Sequence, residues 1–370
     1  MGESRLHRLA DYGQSVWIDF LSREMLRSRE LERRMRDDAV VGVTSNPTIF
    51  QKAISAGDAY DEQLRRVLEE ERDPKEVFIR LAAKDVGDAL DLLRPVWDGG
   101  RGKDGYVSIE VDPNIAFDTD ATIAEAQRLH EWIDKPNLFV KIPATEPGLP
   151  AIEEMIARGR SINVTLIFSL ERYAEVAEAY IRGLERLVAG GGDPGPVASV
   201  ASFFVSRVDT EADKRLDALG GHDELKGKLA VANAKRAYQK YKELFSGERW
   251  DKLAAAGATK QRCLWASTST KNPEYRDVLY VEELIGPETV NTMPEETIEA
   301  FQDHGRVAPT LEQGLDEAER IFAELGTAGV DYDDVVRVLE EEGVEKFADS
   351  FSELLDGIRA KRGALAAAAS

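Results

Sequence analysis

The sequence predicts an α/β fold in which eight parallel strands close into a (β/α)8 barrel. Two observations predict it. Short segments rich in β-branched and aromatic residues alternate with longer helical ones along the 370-residue chain, the pattern of parallel strands joined by crossover helices. Several of these strands also keep one face apolar and carry isolated polar residues on the other, as strands with unlike inner and outer sides do. No internal repeat, low-complexity run or linker marks a boundary. Residues 1–370 are therefore read as one domain, with the C-terminal helices, about 309–360, packing on the barrel.

The first strand is Val16–Phe20, followed by a charged helical stretch over Ser22–Asp37. The second, Val40–Thr44, ends in a turn at Ser45-Asn-Pro-Thr48. Additional helices over Asp58–Glu71 and Pro74–Trp97 form an insert before the third strand. In the latter, Val77, Leu81, Val86, Leu90 and Leu93 recur near helical spacing. The loop Asp98–Gly105 leads into the third strand, Tyr106–Val111. Helix Thr119–Trp132 precedes the fourth strand, Leu138–Pro143, and helix Pro150–Arg158 precedes the fifth, within Ser161–Ser169. A long helix, Leu170–Val188, closes at Gly190-Gly-Gly-Asp-Pro194 before the sixth strand, Ala198–Val205. A helical insert over Thr210–Ala255 separates it from the seventh, Arg262–Ser267, and a short eighth is Thr289–Thr292. Pro294 opens a helix with acidic residues at its positive end. Helices over Leu311–Leu325 and Asp331–Ile358 finish the chain, and Ala364–Ser370 is left out of the fold.

Composition narrows the function. Hydrophobic content of 43% and charged content of 32% describe a soluble globular protein long enough to bury a large core. A net charge of −21 argues against nucleic acid or anionic membranes as partners. An anionic substrate would need a local cationic pocket. Cys263 is the only cysteine, and His7, His130, His222 and His304 are scattered without ligand spacing, so no metal site is expected. No apolar run suits a membrane span and no signal core opens the chain, so a cytoplasmic protein is expected. Monomer and homodimer both remain open.

Lys141 is the residue that asks for an explanation. Leu138, Val140 and Ile142 share one face of its strand, and Phe139 and Lys141 the other. Strand lysines usually run their stems to solvent. Here the neighbouring strands change the odds. Val16, Ile18 and Phe20 oppose Trp17 and Asp19; Val107, Ile109 and Val111 oppose Ser108 and Glu110; Ile162, Val164 and Leu166 oppose Asn163 and Thr165. Ala201, Phe203 and Val205 oppose Ser202 and Phe204, and Leu264 and Ala266 oppose Trp265 and Ser267. With the apolar faces turned to the helices, Asp19, Glu110, Lys141, Asn163, Thr165, Ser202 and Ser267 point inward, mostly near the C-terminal strand ends, where such barrels hold their sites. A lysine among amides and acids suits Schiff-base chemistry on a carbonyl substrate, since burial favours the neutral, nucleophilic amine. Two separate carboxylates could divide the proton transfers.

Six ordered stretches resemble the signatures of the transaldolase family, a branch of the class I aldolases. They are Val16-Trp-Ile-Asp, Val43-Thr-Ser-Asn-Pro-Thr-Ile-Phe, Val107-Ser-Ile-Glu-Val-Asp-Pro, Val140-Lys-Ile-Pro-Ala-Thr, Ile162-Asn-Val-Thr-Leu-Ile-Phe-Ser and Ser202-Phe-Phe-Val-Ser-Arg. The resemblance spans about residues 10–355. It implies a metal-free, cofactor-free barrel that moves a dihydroxyacetone unit between sugar phosphates of the pentose phosphate pathway. Lys141 would form the Schiff base, and Asp19 would take the C4-hydroxyl proton. Glu110 would act through a water that Thr165 helps to hold. Asn46, Asn163, Ser202 and Phe204 would contact the sugar, and Arg207 its phosphate.

The resemblance has one departure. Family members often carry a Ser-x-Arg phosphate clamp after the seventh strand. Here Trp265-Ala-Ser-Thr-Ser-Thr-Lys-Asn-Pro273 holds no arginine, which leaves Ser267 in its role and Lys271 as the only nearby cation. The sibling activity, fructose 6-phosphate aldolase, goes with glutamine at the Glu110 position and tyrosine at the Phe204 position. The acid and the phenylalanine here favour the transferase. A catalytically silent scaffold barrel would have no reason to keep an internal lysine.

Overall fold

The structure, a computed structural model, describes residues 4–369; residues 1–3 and 370 of the expected domain lie outside the described residues. Strands β1 (Gln14–Ile18), β2 (Val40–Val43), β3 (Val107–Glu110), β4 (Leu138–Pro143), β5 (Ile162–Ile167), β6 (Ser199–Phe204), β7 (Arg262–Ala266) and β8 (Thr289–Met293) pair in parallel in sequence order. β8 pairs with β1, which closes the barrel. Between β1 and β2 lie α1 (Arg23–Arg27) and α2 (Glu30–Asp37), and between β2 and β3 lie α3 (Pro47–Ser55), α4 (Asp61–Glu70) and α5 (Pro74–Gly99). The next three gaps hold α6 (Thr119–Ile133), α7 (Gly148–Ala157) and α8 (Leu170–Ala189). The insert after β6 is α9 (Ser206–Leu219), α10 (Leu229–Leu244) and α11 (Gly247–Ala255). The short α12 (Leu279–Glu283) follows β7, and α13 (Glu295–His304), α14 (Leu315–Ala328) and α15 (Tyr332–Ala369) complete the chain.

Four elements depart from expectation, one of them α15, which continues past the expected end at Ile358 to Ala369, where the alanine run favours helix. The Ser45–Thr48 turn opens a helix, because Asn46 accepts from the Ile49 N–H at 3.0 Å and Pro47 takes the first position, a standard helix start. The charged Ser22–Asp37 stretch splits into α1 and α2, where Arg29 turns into the left-handed region at φ 64. The brief α12 carries too few residues to show a period. No helix is long and apolar enough to cross a membrane among the described residues.

Register assigns the inner face, since residues paired across parallel strands share a side. Glu110 pairs with Lys141, Lys141 with Asn163, and Asn163 with Val200, so the expected inward set of β3, β4 and β5 lines one interior. β7 corrects the expectation. Ser202 pairs with Leu264 and Phe203 with Trp265, so Leu264 and Ala266 face inward and Trp265 packs outside. There its ring meets Phe203 edge-on at 6.2 Å, and Phe203 meets Tyr173 of α8 at 6.2 Å. Period-two reading went wrong here because both faces of β7 are apolar. Ser267 still reaches the mouth, because its backbone leaves the strand at φ 56.

β5 holds a second irregularity. Val164 pairs with Ala201 but Ile167 with Phe203, so an extra residue is taken up, with Leu166 at φ 61. Ile167 thus takes the outer place expected of Leu166, and Leu166 lies against α15 at the barrel top. Gly343 allows that approach: a Cβ there would lie 3.2 Å from Leu166 and 3.4 Å from Phe168. α15 also packs on α3, α5 and α9, which carries it across the mouth.

The opposite end is plugged. Trp17 Nε1 and Ser15 Oγ donate to Asp104 at 3.0 and 2.8 Å, and Arg262 reaches Asp104 at 3.0 Å and Ser15 at 2.9 Å. The Trp17 ring lies on Gly42, where a Cβ would sit 2.4 Å from the indole. Because the ring is hydrogen-bonded and fully buried, it has nowhere to swing. Gly42→Ala is expected to cost ~1–3 kcal/mol by overpacking, read as a lower denaturant midpoint at unchanged slope.

Candidate active site

The site is built from strand ends upward. Lys141 is 5% exposed; its Nζ lies 3.2 Å from Glu110 Oε2 and donates to the Ser45 carbonyl at 3.1 Å. The lysine is thus paired, yet the ion pair is poorly aligned, and neither Glu110 oxygen takes a directed hydrogen bond. Burial raises the Glu110 pKa above the usual carboxylate value, against the pull of the Lys141 charge. Asp19 comes one residue past β1 and accepts from Thr44 Oγ1 at 2.6 Å, and that hydroxyl bonds Thr292 Oγ1 at 2.7 Å. Burial raises the Asp19 pKa too, opposed by Lys141 and then by the Thr44 hydroxyl. Two carboxyls therefore face one amine from different strands, both held nearer neutrality than exposed acids.

Polar neighbours surround this triad. Ser202 Oγ donates to Asn163 Oδ1 at 2.7 Å, and Asn163 Nδ2 donates to Ser108 Oγ at 3.1 Å, which fixes the amide's orientation. Thr165 Oγ1 is buried with no hydrogen-bond partner among the described residues. Asn46 spends its oxygen as the cap of α3 and still borders the cavity. That cavity, about 250 Å³, is lined by Asp19, Asn46, Lys141, Thr165, Ser202, Phe204, Arg207, Ser267 and Lys271. Of the expected residues, Glu110 and Asn163 lie beneath this lining, in contact with Lys141 and Ser202.

Arg207 is the cation that most needs a partner. The acids closest in sequence are engaged elsewhere: Asp209 with the Ala230 N–H and Tyr280, and Glu211 with Lys214 and Arg215. Its guanidinium lies instead 5.1 Å over the Phe204 ring and 5.9 Å from the Phe347 ring. Burial lowers its pKa, the direction expected of a desolvated cation. A half-buried charge that makes no ion pair among the described residues is costly, so the place suits an anion. Lys271 donates to Ser269 Oγ at 2.7 Å at the rim.

Sequence reasoning missed four contributors. Lys52 of α3 lines the same cavity, so Lys271 is not the only cation available besides Arg207. Thr44 and Thr292 form the hydroxyl chain to Asp19. Phe347 of α15 roofs the amine, with Lys141 Nζ 5.9 Å from its ring centre. Thr44 stood inside a quoted motif and could have been found. Phe347 lies more than two hundred residues from Lys141 in sequence, and only the crossing of α15 brings it in.

The chain is similar to known proteins over nearly its whole length. The family model for transaldolase/fructose-6-phosphate aldolase matches residues 16–358. A transaldolase of Parafrankia sp. (strain EAN1pec) is 53% identical over 364 residues, covering 98% of this chain and 99% of that one. Transaldolase 1 of Streptomyces avermitilis is 52% identical over 356 residues, covering 95% and 94%. A transaldolase of Mycolicibacterium paratuberculosis is 52% identical over 355 residues, covering 95% of each. The chain belongs to the transaldolase/fructose-6-phosphate aldolase family.

Proposed function

We propose that the chain is a transaldolase. It carries a dihydroxyacetone unit from sedoheptulose 7-phosphate or fructose 6-phosphate to glyceraldehyde 3-phosphate or erythrose 4-phosphate, through a Schiff base on Lys141. The observation that carries this reading is a buried amine facing two separate carboxyls, below an arginine that makes no ion pair among the described residues. Cytoplasmic sugar-phosphate metabolism is the setting it implies.

The Lys141 amine adds to the ketose C2 carbonyl, and the carbinolamine loses water to give an imine. Glu110, 3.2 Å from Nζ, relays the protons of that step through a water that the free Thr165 hydroxyl helps to hold. Asp19 takes the C4-hydroxyl proton. The C3–C4 bond breaks, its electron pair flows toward the iminium, and an aldose phosphate leaves. The enamine carbon then attacks the acceptor aldehyde, Asp19 returns its proton to the new C4 oxygen, and water hydrolyses the imine. Asn46 and the Ser202-oriented Asn163 bind the sugar hydroxyls. Phe204 walls the cavity with a ring that offers no hydroxyl, and Arg207, Ser267 and Lys271 take the phosphate.

Fructose 6-phosphate is expected to turn over only when erythrose 4-phosphate is present. Steady release of free dihydroxyacetone without acceptor would identify an aldolase instead.

Asp19 must be ionised to act as a base, so activity falls as pH drops through its raised pKa. Thr44→Val removes a hydrogen bond that favours the carboxylate, so the acid limb of kcat/KM is expected to move to higher pH. An unmoved limb with lower activity would give Thr44 another role.

Arg207→Ala is expected to lower kcat/KM for fructose 6-phosphate by roughly 10- to 150-fold, the value of ~1.5–3 kcal/mol for a charge-assisted contact. Most of the loss falls on KM, because the phosphate is remote from the breaking bond. Dihydroxyacetone with an unphosphorylated aldehyde is the control, and its turnover should barely change. Equal losses with both pairs would make Arg207 a support of the fold.

A further inference from the structure

Residues 267–278, between β7 and α12, carry Ser267, Ser269 and Lys271 to the cavity without regular secondary structure of their own. Such a segment positions a charge only if something rigid holds it. Its near end is tied to the start of α9: the Ser206 N–H donates to the Ser267 carbonyl at 3.0 Å, and the two hydroxyls lie 2.9 Å apart. Its far end is tied to the same helix by two phenol–carboxylate bonds. Tyr275 donates to Asp213 Oδ2 at 2.6 Å, and Tyr280, just beyond the segment in α12, donates to Asp209 Oδ2 at 2.8 Å.

The other oxygen of each carboxylate is also committed. Asp213 Oδ1 accepts from the Gly227 N–H at 3.0 Å, and Asp209 Oδ1 from the Ala230 N–H at 2.7 Å. Gly227 stands at φ 69, and a Cβ there would lie 2.7 Å from the Tyr275 ring, so the fit around this phenol is close. Asp209 and Asp213 are one turn apart and share a face of α9, while Arg207 sits in the first turn of that helix. One helix thus carries the phosphate-binding arginine and grips both ends of the segment bearing the second cation.

We propose that Asp213 and Asp209, through Tyr275 and Tyr280, are positioning residues that fix Lys271 relative to Arg207, so that both engage one phosphate group. This rests on the reading that Lys271 contacts that phosphate. If the carboxylates served only to join α9 to α10, their bonds to the Gly227 and Ala230 N–H groups would suffice, and the tyrosines would add stability alone.

The test uses the full-length enzyme as Tyr275→Phe, Lys271→Met and the double variant, with Tm recorded for each. Substrates are fructose 6-phosphate with erythrose 4-phosphate, and dihydroxyacetone with an unphosphorylated aldehyde. Tyr275→Phe is expected to raise KM for fructose 6-phosphate roughly tenfold, the scale of a lost charge-assisted bond, with kcat within about twofold. It should add nothing in the Lys271→Met background and leave the phosphate-free pair unchanged. An unchanged KM with a lowered Tm, or an effect that persists without Lys271, would overturn the positioning role and leave the phosphate reading intact. An unchanged KM in Lys271→Met would overturn both.

Discussion

Lys141→Met is expected to abolish transfer, with turnover at saturating fructose 6-phosphate and erythrose 4-phosphate falling on the order of 10⁴-fold or more. The size of the loss follows from the role proposed for the side chain. Without the amine there is no imine, and without the imine the C3–C4 electron pair has no sink. No other cation can substitute, because Lys52 and Lys271 stand exposed at the mouth whereas Lys141 lies buried beneath them. Methionine keeps the stem and its packing under Phe347. It also strands Glu110, whose pKa burial already raises, so that carboxyl is expected to take up a proton and not remain as an unpaired charge. That proton uptake softens the ~3–5 kcal/mol that removing one partner of a buried ion pair would otherwise cost. The variant should therefore fold, and its near-UV spectrum should match the parent. Retained turnover above about 1% of the parent would remove Lys141 from the chemistry.

Asp19→Ala and Glu110→Ala are each expected to lose roughly 10²–10⁴-fold in turnover, but at different steps. Asp19 lies one residue past the end of β1 and is held by Thr44, and the proposed mechanism has it take the C4-hydroxyl proton. Glu110 lies in register with Lys141, beside the amine that the proposed mechanism makes into the imine. Asp19→Ala should form the ketose adduct at the parent's rate and cleave it slowly, so reductive trapping fills quickly and the sugar remains whole. Glu110→Ala should trap slowly because imine formation itself is delayed. Rapid-quench trapping with borohydride distinguishes them, and identical normal trapping curves would refute the division of labour.

Much of this site was legible in the sequence because period-two alternation is unforgiving in a half-polar strand. Asp19, Glu110, Lys141 and Asn163 each stood on a face whose opposite side was apolar; register aligns the last three, and Asp19 follows at the end of β1. The signal failed where a strand is apolar on both faces, as in β7, so Trp265 was turned inward when it packs against Phe203. It failed again at Leu166, because nothing in an apolar run announces an extra residue in the ladder. The helix at Pro47 was hidden for another reason: Asn-Pro reads equally as a turn and as a cap, and only the residues after it decide. Lys52 and Phe347 depend on where α3 and α15 come to rest, a matter of tertiary packing that no local pattern encodes.

The central claim is that Lys141 bonds covalently to the ketose. Borohydride reduction in the presence of fructose 6-phosphate, followed by digestion and mass spectrometry, tests it most directly. The peptide containing Lys141 is expected to gain the mass of one reduced dihydroxyacetone unit once the aldose has left, with no other peptide labelled. A label on Lys52, Lys271 or any other lysine, or an unlabelled enzyme that still turns over, would contradict it.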